Sequence, residues 1–468
     1  MRANEPFDGA LVHELIAELE AKIRSNRVGE VHEAINALGF ADIPRVHAAK
    51  MANLALRSGA LFWAIRLLNP IVRSNSAGVK ASAEELAEYG FALNRIGAQA
   101  EAERVLTEIA NQPLPRVQVY LAAIRANAWD YEGAKTCFER YLLFTELTPY
   151  ERRIGKLNLA NALIGTGESY DEAARLLAEL REELAKEENK LLLGNSIELS
   201  AQLAVKRGEH EECAKWIEEG RRIFPGVDSI FSLFFLKWQN ISKMKRGLGD
   251  SHQLMAEVRS EAERLQHHET IREADFYLAL ETKDENLFNK VYFGTPWPNY
   301  RERLLKMKPE GVMLWSHFDH SPSGKSSTML QVNALGATAG ETKTKSGQLL
   351  HRMLVALTSD LYRPLWVAAA FTQLFPDEYY QPESGPKRVH QAVFRLRKWF
   401  DEAGLPLDLE DKNGRYSLIW RDACTLRLER GDGRVATSAD EALYLKIVDK
   451  FAGAPDFGSQ EIAKLLEV

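Results

Sequence analysis

PKRVHQAVFRLRKWFDEAGLPLDLEDKNGRYSL, residues 386–418, changes its hydrophobic period midway. Over residues 386–400 the apolar side chains of Val389, Ala392, Val393, Leu396, Trp399 and Phe400 recur at spacings of three and four, one stripe of an α-helix. The opposite face carries Lys387, His390, Gln391, Phe394 and Lys398, with Arg388, Arg395 and Arg397 on its flanks. No acidic residue lies between Gly385 and Phe400. Beyond the helix, residues 405–409 read as a strand, Asn413-Gly414 as the positive-φ pair of a type I′ turn, and residues 415–420 as the returning strand. Lys412 and Arg415 flank the tip of that hairpin. Upstream, Leu349, Leu350, Met353, Leu354 and Leu357 mark a first helix and residues 365–375 a second, so three helices and a hairpin form one unit.

This unit resembles the OmpR/PhoB-type winged-helix domain of bacterial transcription regulators. The resemblance rests on Leu374-Phe375-Pro376 closing the second helix, on Arg395-Leu396-Arg397-Lys398 inside the third, and on Gly414-Arg415-Tyr416-Ser417-Leu418, similar to the family's Gly-Tyr-Arg-Leu wing strand. It spans residues 346–420. It implies that the third helix enters the major groove and the wing touches the adjacent minor groove, so that Arg395, Arg397, Lys398 and Arg415 inherit a role in contacting DNA. Two departures stand out: Phe394 occupies the outward face where a polar or basic side chain is usual, and Arg415 is inserted between Gly414 and Tyr416. The family also carries a small antiparallel sheet before its first helix, for which residues 311–318 and 328–332 are the expected strands.

The chemistry of the residues agrees with such a role. A Lys or Arg beside a phosphate releases counterions, and Arg also grips guanine O6 and N7 with two hydrogen bonds. The candidate DNA-binding set is therefore Lys387, Arg388, His390, Gln391, Phe394, Arg395, Arg397, Lys398, Lys412 and Arg415. Residues 342–434 hold 15 Lys and Arg against 12 Asp and Glu, whereas the whole chain carries a net charge of −6, so positive charge gathers where the resemblance lies. The competing reading of this region is a module that docks protein, which an outward Phe394 also suits.

Residues 46–305 read as helix after helix, with a pattern recurring at roughly 38 residues, the range of helical-repeat solenoids. Four copies show a small or Gly-bearing turn followed by an acidic, Ala-containing helix start. They are residues 92–97 with 101–106, residues 127–134 with Phe138, Gly167 with residues 170–174, and residues 208–214. These resemble the turn and second helix of tetratricopeptide repeats, and the resemblance implies a groove for a peptide or protein. Weaker copies are expected over residues 229–238 and 271–287. Large aromatic residues such as Trp63, Tyr89, Tyr120 and Trp238 either fill the core between repeats, as such residues usually do, or line that groove. Pro296-Trp297-Pro298 breaks the helical pattern, because two prolines fix φ and remove donors. Trp297 and Tyr300 are expected to cap the last repeat there.

The chain so divides into an N-terminal helical segment (1–45), a tetratricopeptide-like α-solenoid (46–305), a winged-helix domain with a preceding hairpin (306–434) and a C-terminal helical segment (435–468). The last begins its second helix with Ser459 and Glu461. It is expected to be either a second helix-turn-helix truncated before its recognition helix or a terminal cap of two helices.

At 468 residues and 45% hydrophobic content the chain has room for two or three cores. Its apolar runs fall far short of the ~20 residues of a membrane span, and its first residues lack a signal peptide's apolar core. Cys137, Cys213 and Cys424 are scattered and odd in number, which fits a reducing cytoplasm and neither a disulfide framework nor a zinc site. Three features invite chemistry and fall short of it. Ser323-Gly324-Lys325-Ser326 imitates the end of a phosphate-binding loop, but the first Gly of that motif falls at Asp319, so a hairpin loop is expected. His317, Asp319 and His320 have no further Cys or His nearby, so a strand end is expected in place of a metal site. His267-His268-Glu269 sits on a polar helix end without a nucleophile.

The sequence thus predicts a mainly α protein, a tetratricopeptide-like solenoid of helical hairpins followed by a small α+β winged-helix domain, with no enzymatic activity, no metal and no cofactor. The function expected is that of a cytoplasmic, bacterial-type transcription regulator. Its expected partners are double-stranded DNA and a peptide or protein in the solenoid groove, with no membrane, and homodimerisation is one way to present two DNA-binding domains. The alternative is a non-enzymatic interaction scaffold whose winged helix docks protein.

Overall fold

Gly and polar turns punctuate a succession of helices as the sequence pattern requires. A computed structural model describes residues 9–25, 27–73, 80–184, 190–226 and 230–429. The chain divides into two compact units, residues 1–162 with 366–388 and residues 163–365 with 389–468. The expected helices of the C-terminal segment 435–468 lie outside the described residues.

The first unit contains α1 (Gly9–Arg24), α2 (Val28–Asn36), α3 (Arg45–Ser58), α4 (Leu61–Val72), α5 (Ala83–Arg95), α6 (Gln99–Glu108), α7 (Pro115–Asn127), α8 (Tyr131–Leu142) and most of α9 (Pro149–Thr166). Consecutive helices pack as hairpins, and α3, α5 and α7 also touch one another. The turns fall where the repeat marks placed them. Gly97 (φ +93°) reverses the chain into α6, and Trp129 (φ +63°) is followed by Asp130, whose carboxylate accepts from the Gly133 amide (3.0 Å) to cap α8. Ser82 and Glu85 form a reciprocal capping box at the start of α5.

The second unit continues the pattern. It holds α10 (Tyr170–Leu184), α11 (Lys190–Arg207), α12 (His210–Ile223), α13 (Ile230–Lys245), α14 (Ser251–Arg264), α15 (His268–Thr282), α16 (Glu285–Phe293) and α17 (Pro298–Lys306). Gly167 and Gly208, both at positive φ, precede α10 and α12. The weaker copies expected near residues 229–238 and 271–287 are the hairpins α13–α14 and α15–α16. Pro298 opens α17 at a position where the missing N–H costs nothing. Trp63, Tyr89 and Trp238 are buried, so they fill the core, whereas Tyr120 is half-buried and stacks on Phe91 at 4.0 Å. The fold is thus mainly helical repeats with a small α+β region.

That region begins with a mixed five-stranded sheet of β1 (Phe318–His320), β2 (Met329–Asn333), β3 (Gly336–Ala339), β4 (Thr342–Lys345) and a late strand, Thr425–Leu428. The late strand lies between β1 and β2, antiparallel to the first and parallel to the second. Two expectations are corrected here. Residues 311–317 are not a strand, because Met313 and Trp315 bond by their amides to Glu285 and Asn289 of α16 and not to a neighbouring strand. The loop around Gly324 is not a hairpin loop, because the late strand separates β1 from β2.

After α18 (Leu349–Thr358) come β5 (Leu365–Trp366), α19 (Val367–Leu374), α20 (Gly385–Glu402), β6 (Leu407–Asp411) and β7 (Arg415–Trp420), and the late strand is β8. Segment 366–388, which the sequence assigns to the second helix and its exit, is bound within the first unit. The Tyr380 amide donates to Glu101 (2.9 Å), Asn69 donates to Gln381 (2.6 Å), and the Arg73 guanidinium lies 3.5 Å over the Tyr379 ring. No helix among the described residues is long and apolar enough to cross a membrane.

Candidate nucleic-acid interface

The third helix of the α+β region forms because its apolar stripe has a core to enter. Val389, Ala392, Val393, Leu396, Trp399 and Phe400 are all buried, and each large side chain so placed stabilises by roughly 1.5–3 kcal/mol. The opposite face is left in solvent. His390, Gln391, Phe394, Arg395 and Lys398 are exposed along α20, and Lys387 is exposed in its first turn. Phe394 is 70% accessible, an apolar surface at the centre of a polar face.

Two of the basic residues on the flanks are engaged elsewhere. Arg388 hydrogen-bonds Glu378 with both ends of its guanidinium and lies 3.7 Å over the Phe375 ring, and these bonds hold the Glu378 carboxyl below its ordinary range. Arg397 donates to Asp408 (3.0 Å) and to the Leu409 carbonyl (2.6 Å). Burial pushes the Asp408 carboxyl up, but the Leu409 amide, Arg421 and Arg397 outweigh it and keep that group ionised. Arg397 is therefore a brace between helix and hairpin. Lys398 has a neighbour of opposite charge in Glu402 (3.4 Å), an exposed pair of small weight. Arg395, with the Lys387 ammonium, has no ion pair among the described residues.

The hairpin is built as the Asn-Gly pair dictates. Asn413 (φ +55°) and Gly414 (φ +72°) occupy the left-handed region, and Lys412 and Arg415 exchange backbone hydrogen bonds of 2.9 and 3.2 Å across the two-residue loop. Lys412 is exposed at the tip and Arg415 is half-buried on β7. Asp411 accepts from the Gly414 amide (3.3 Å), so the tip carries acid as well as base. The His390 and Tyr416 rings stand perpendicular at 6.1 Å and join α20 to β7. Asp408 and Glu378 fall outside the set that the sequence singles out. Alternation places Asp408 opposite the buried Leu407 and Leu409, but nothing local assigns it to Arg397.

One residue from each of the two histidine-bearing motifs has a structural partner. Asp319 is held by the Arg427 fork at 2.7 Å on both oxygens, and His267 accepts from the Thr270 amide as the N-cap of α15. Polar ties also run along the first helices of successive hairpins. Glu88 of α5 accepts from Asn53 of α3 (3.1 Å) and from Arg116 (2.5 Å) and Tyr120 of α7. In the second unit, Glu198 of α11 accepts from the Trp238 indole of α13 (2.6 Å), and Lys237 pairs with Glu273 of α15 (2.8 Å).

No protein-family model matches the chain, and no curated protein matches it. Among solved structures, a tetratricopeptide repeat protein from Parabacteroides merdae is 14% identical, with a TM-score of 0.39 over 56% of this chain and 98% of that one. A Rap protein complexed with competence and sporulation factor is 10% identical, with a TM-score of 0.44 over 84% of this chain and 96% of that one. Helix packing within each unit, given above, is what establishes helical repeats here.

Proposed function

We propose that this chain is a non-enzymatic, cytoplasmic DNA-binding regulator in which helical repeats receive a peptide or protein and α20 with the β6–β7 hairpin contacts duplex DNA. The observation that supports it is the solvent face of α20. From Lys387 to Lys398 it presents Lys, His, Gln, Phe, Arg and Lys without an acidic side chain, beside a hairpin whose tip offers Lys412. Arg395 and Lys398 are assigned to phosphate or base edges, Gln391 and His390 to base edges, and Phe394 to a thymine methyl. Arg388 and Arg397 are assigned to holding the helix. The buried polar ties along α3–α5–α7 in one unit, and those along α11–α13–α15 in the other, hold the first helices of successive hairpins in line, and Arg116 of α7 leaves part of its guanidinium side chain exposed to a partner. A homodimer would present two such helices to one duplex.

The test is fluorescence anisotropy of the full chain with random duplex DNA at two salt concentrations. Salt-sensitive binding is expected, and Arg395→Ala with Lys398→Ala should weaken it and lower the salt slope by about 0.9 for each phosphate no longer neutralised. Binding unchanged by that double substitution removes this face from the interface. The exposure of Phe394 favours a second reading, a scaffold in which the same face docks protein. Absence of DNA binding at low salt, with Phe394→Ala abolishing capture of a protein partner, would select it.

A further inference from the structure

A cavity of about 240 Å³ lies inside the second unit, where the start of α15, the loop joining α18 to β5, and β7 meet. Its lining combines Leu357, Leu361 and Leu418 with hydrogen-bonding groups: the imidazoles of His268 and His320, the Arg363 guanidinium and the Ser417 hydroxyl. Among the described residues neither imidazole makes a hydrogen bond. His320 only abuts rings, with Trp420 perpendicular to it at 5.3 Å. Arg363 contacts its carboxylate neighbours through Nε, at 3.1 Å to Glu269 and 3.2 Å to Asp360, so its two Nη groups keep their donors. The one carboxylate in the lining, Asp360, is already saturated. It accepts from Arg272 (2.6 Å), from the Tyr362 amide (2.9 Å), from the Arg363 amide (3.1 Å) and from Arg363 Nε.

Within its lining the donors are unused and the one acid is spent, so the site lacks acceptors there; Glu269, whose oxygens accept no hydrogen bond, lies outside the lining against Arg363 Nε. We propose that this cavity binds a small oxyanion-bearing ligand, a phosphate or a carboxylate, held by the Arg363 fork, His268, His320 and Ser417. A guanidinium fork matches either anion with two parallel hydrogen bonds. The apolar side admits a short carbon skeleton. A ligand seated there touches α15 of the helical repeats and β7 of the hairpin together, so its occupancy would link the two. The site does not depend on the DNA-binding reading, and its test uses no DNA.

The experiment is residue-resolved acylation of histidines by diethylpyrocarbonate, read by mass spectrometry on the full chain, with inorganic phosphate, succinate or chloride at matched ionic strength. Phosphate or succinate is expected to slow modification of His268 and His320 and to leave the exposed His252 of α14 unchanged. Protection by phosphate alone assigns the phosphate class, and protection by succinate alone assigns the carboxylate class. Equal rates in all three salts, or protection that includes His252, overturns the proposal. Arg363→Gln should weaken binding about tenfold, the loss expected for a charge-assisted hydrogen bond. Because Arg363 also contacts Glu269 and Asp360, Ser417→Ala and His320→Gln serve as second variants, and full affinity in both of them would equally overturn it.

Discussion

Arg272 shows how one residue can join distant stretches of chain. It is fully buried on α15, donates to Asp360, and lies over the rings of Trp297 (4.4 Å) and Tyr362 (5.1 Å). Burial works against ionisation of both partners, yet Asp360 stays below its ordinary range because Arg272 and Arg363 outweigh that penalty. Breaking such a pair strands a charge in the interior. Asp360→Asn is expected to cost about 3–5 kcal/mol in denaturant unfolding. Adding Arg272→Met should cost much less than a second such increment, since the two residues form one interaction. His320 supplies a pH test. Burial and Lys290 hold its imidazolium down, to a pKa of about 4, so the folded chain resists a proton that the unfolded chain accepts below about 6.5. Its contribution is complete above that value and is lost as pH falls towards 4. In phosphate-free buffer, thermal unfolding should therefore decline more steeply between pH 7 and 4.5 for the parent than for His320→Gln, by at most about 1.4 kcal/mol per pH unit. Parallel profiles would show that the proton is taken up elsewhere.

Among the elements, the β6–β7 hairpin makes the sharpest prediction. Gly414 sits at φ +72° with its amide on Asp411, so Gly414→Ala should cost about 1 kcal/mol or more through backbone strain alone, measured by chemical denaturation. This hairpin and α20 are legible in the sequence because each repeats a strong local signal: an Asn-Gly pair between alternating strands, and a stripe of six apolar residues. The pattern starts the first hairpin strand two residues early, at 405 and not Leu407, since Leu405 is buried but pairs with no strand. Strands β3 and β4 carry no such signal, for a physical reason. Gly-Ala-Thr-Ala and Thr-Lys-Thr-Lys bury little apolar surface, and their order comes from cross-strand pairing of Ala337 with Thr344 and Thr338 with Lys343. Strand β8 joins β1 and β2 from about a hundred residues away, and no local pattern announces such a partner. The face of α20 is likewise legible, but the ion pairs that engage Arg388 and Arg397 depend on Glu378 and Asp408 arriving from outside the helix.

At the scale of the molecule, stability in helical repeats is a sum over neighbouring hairpins, and the sequence announces it through its turn glycines more than through its cores. Gly208 and Gly220 separate the two uses of the residue within the second unit. At Gly208 (φ +76°) a methyl group would meet open space, so only backbone strain opposes Gly208→Ala, about 1 kcal/mol. Gly220 lies inside α12 with ordinary helical geometry, where alanine alone would favour the helix by up to about 1 kcal/mol. Its added carbon, however, would run into the Phe235 ring of α13, so the two helices must part. Overpacking of that kind costs about 1–3 kcal/mol, which exceeds the propensity gain. Gly220→Ala is therefore expected to destabilise despite its better helix former. Because repeats couple to their nearest neighbours, hydrogen exchange should accelerate in α12, α13 and the adjoining α11 while α15 and α16 keep their protection. Uniform acceleration throughout α10–α17 would mean that the second unit opens as one cooperative block, and that the α+β region fastened to α15 through Arg272 and Asp360 opens with it.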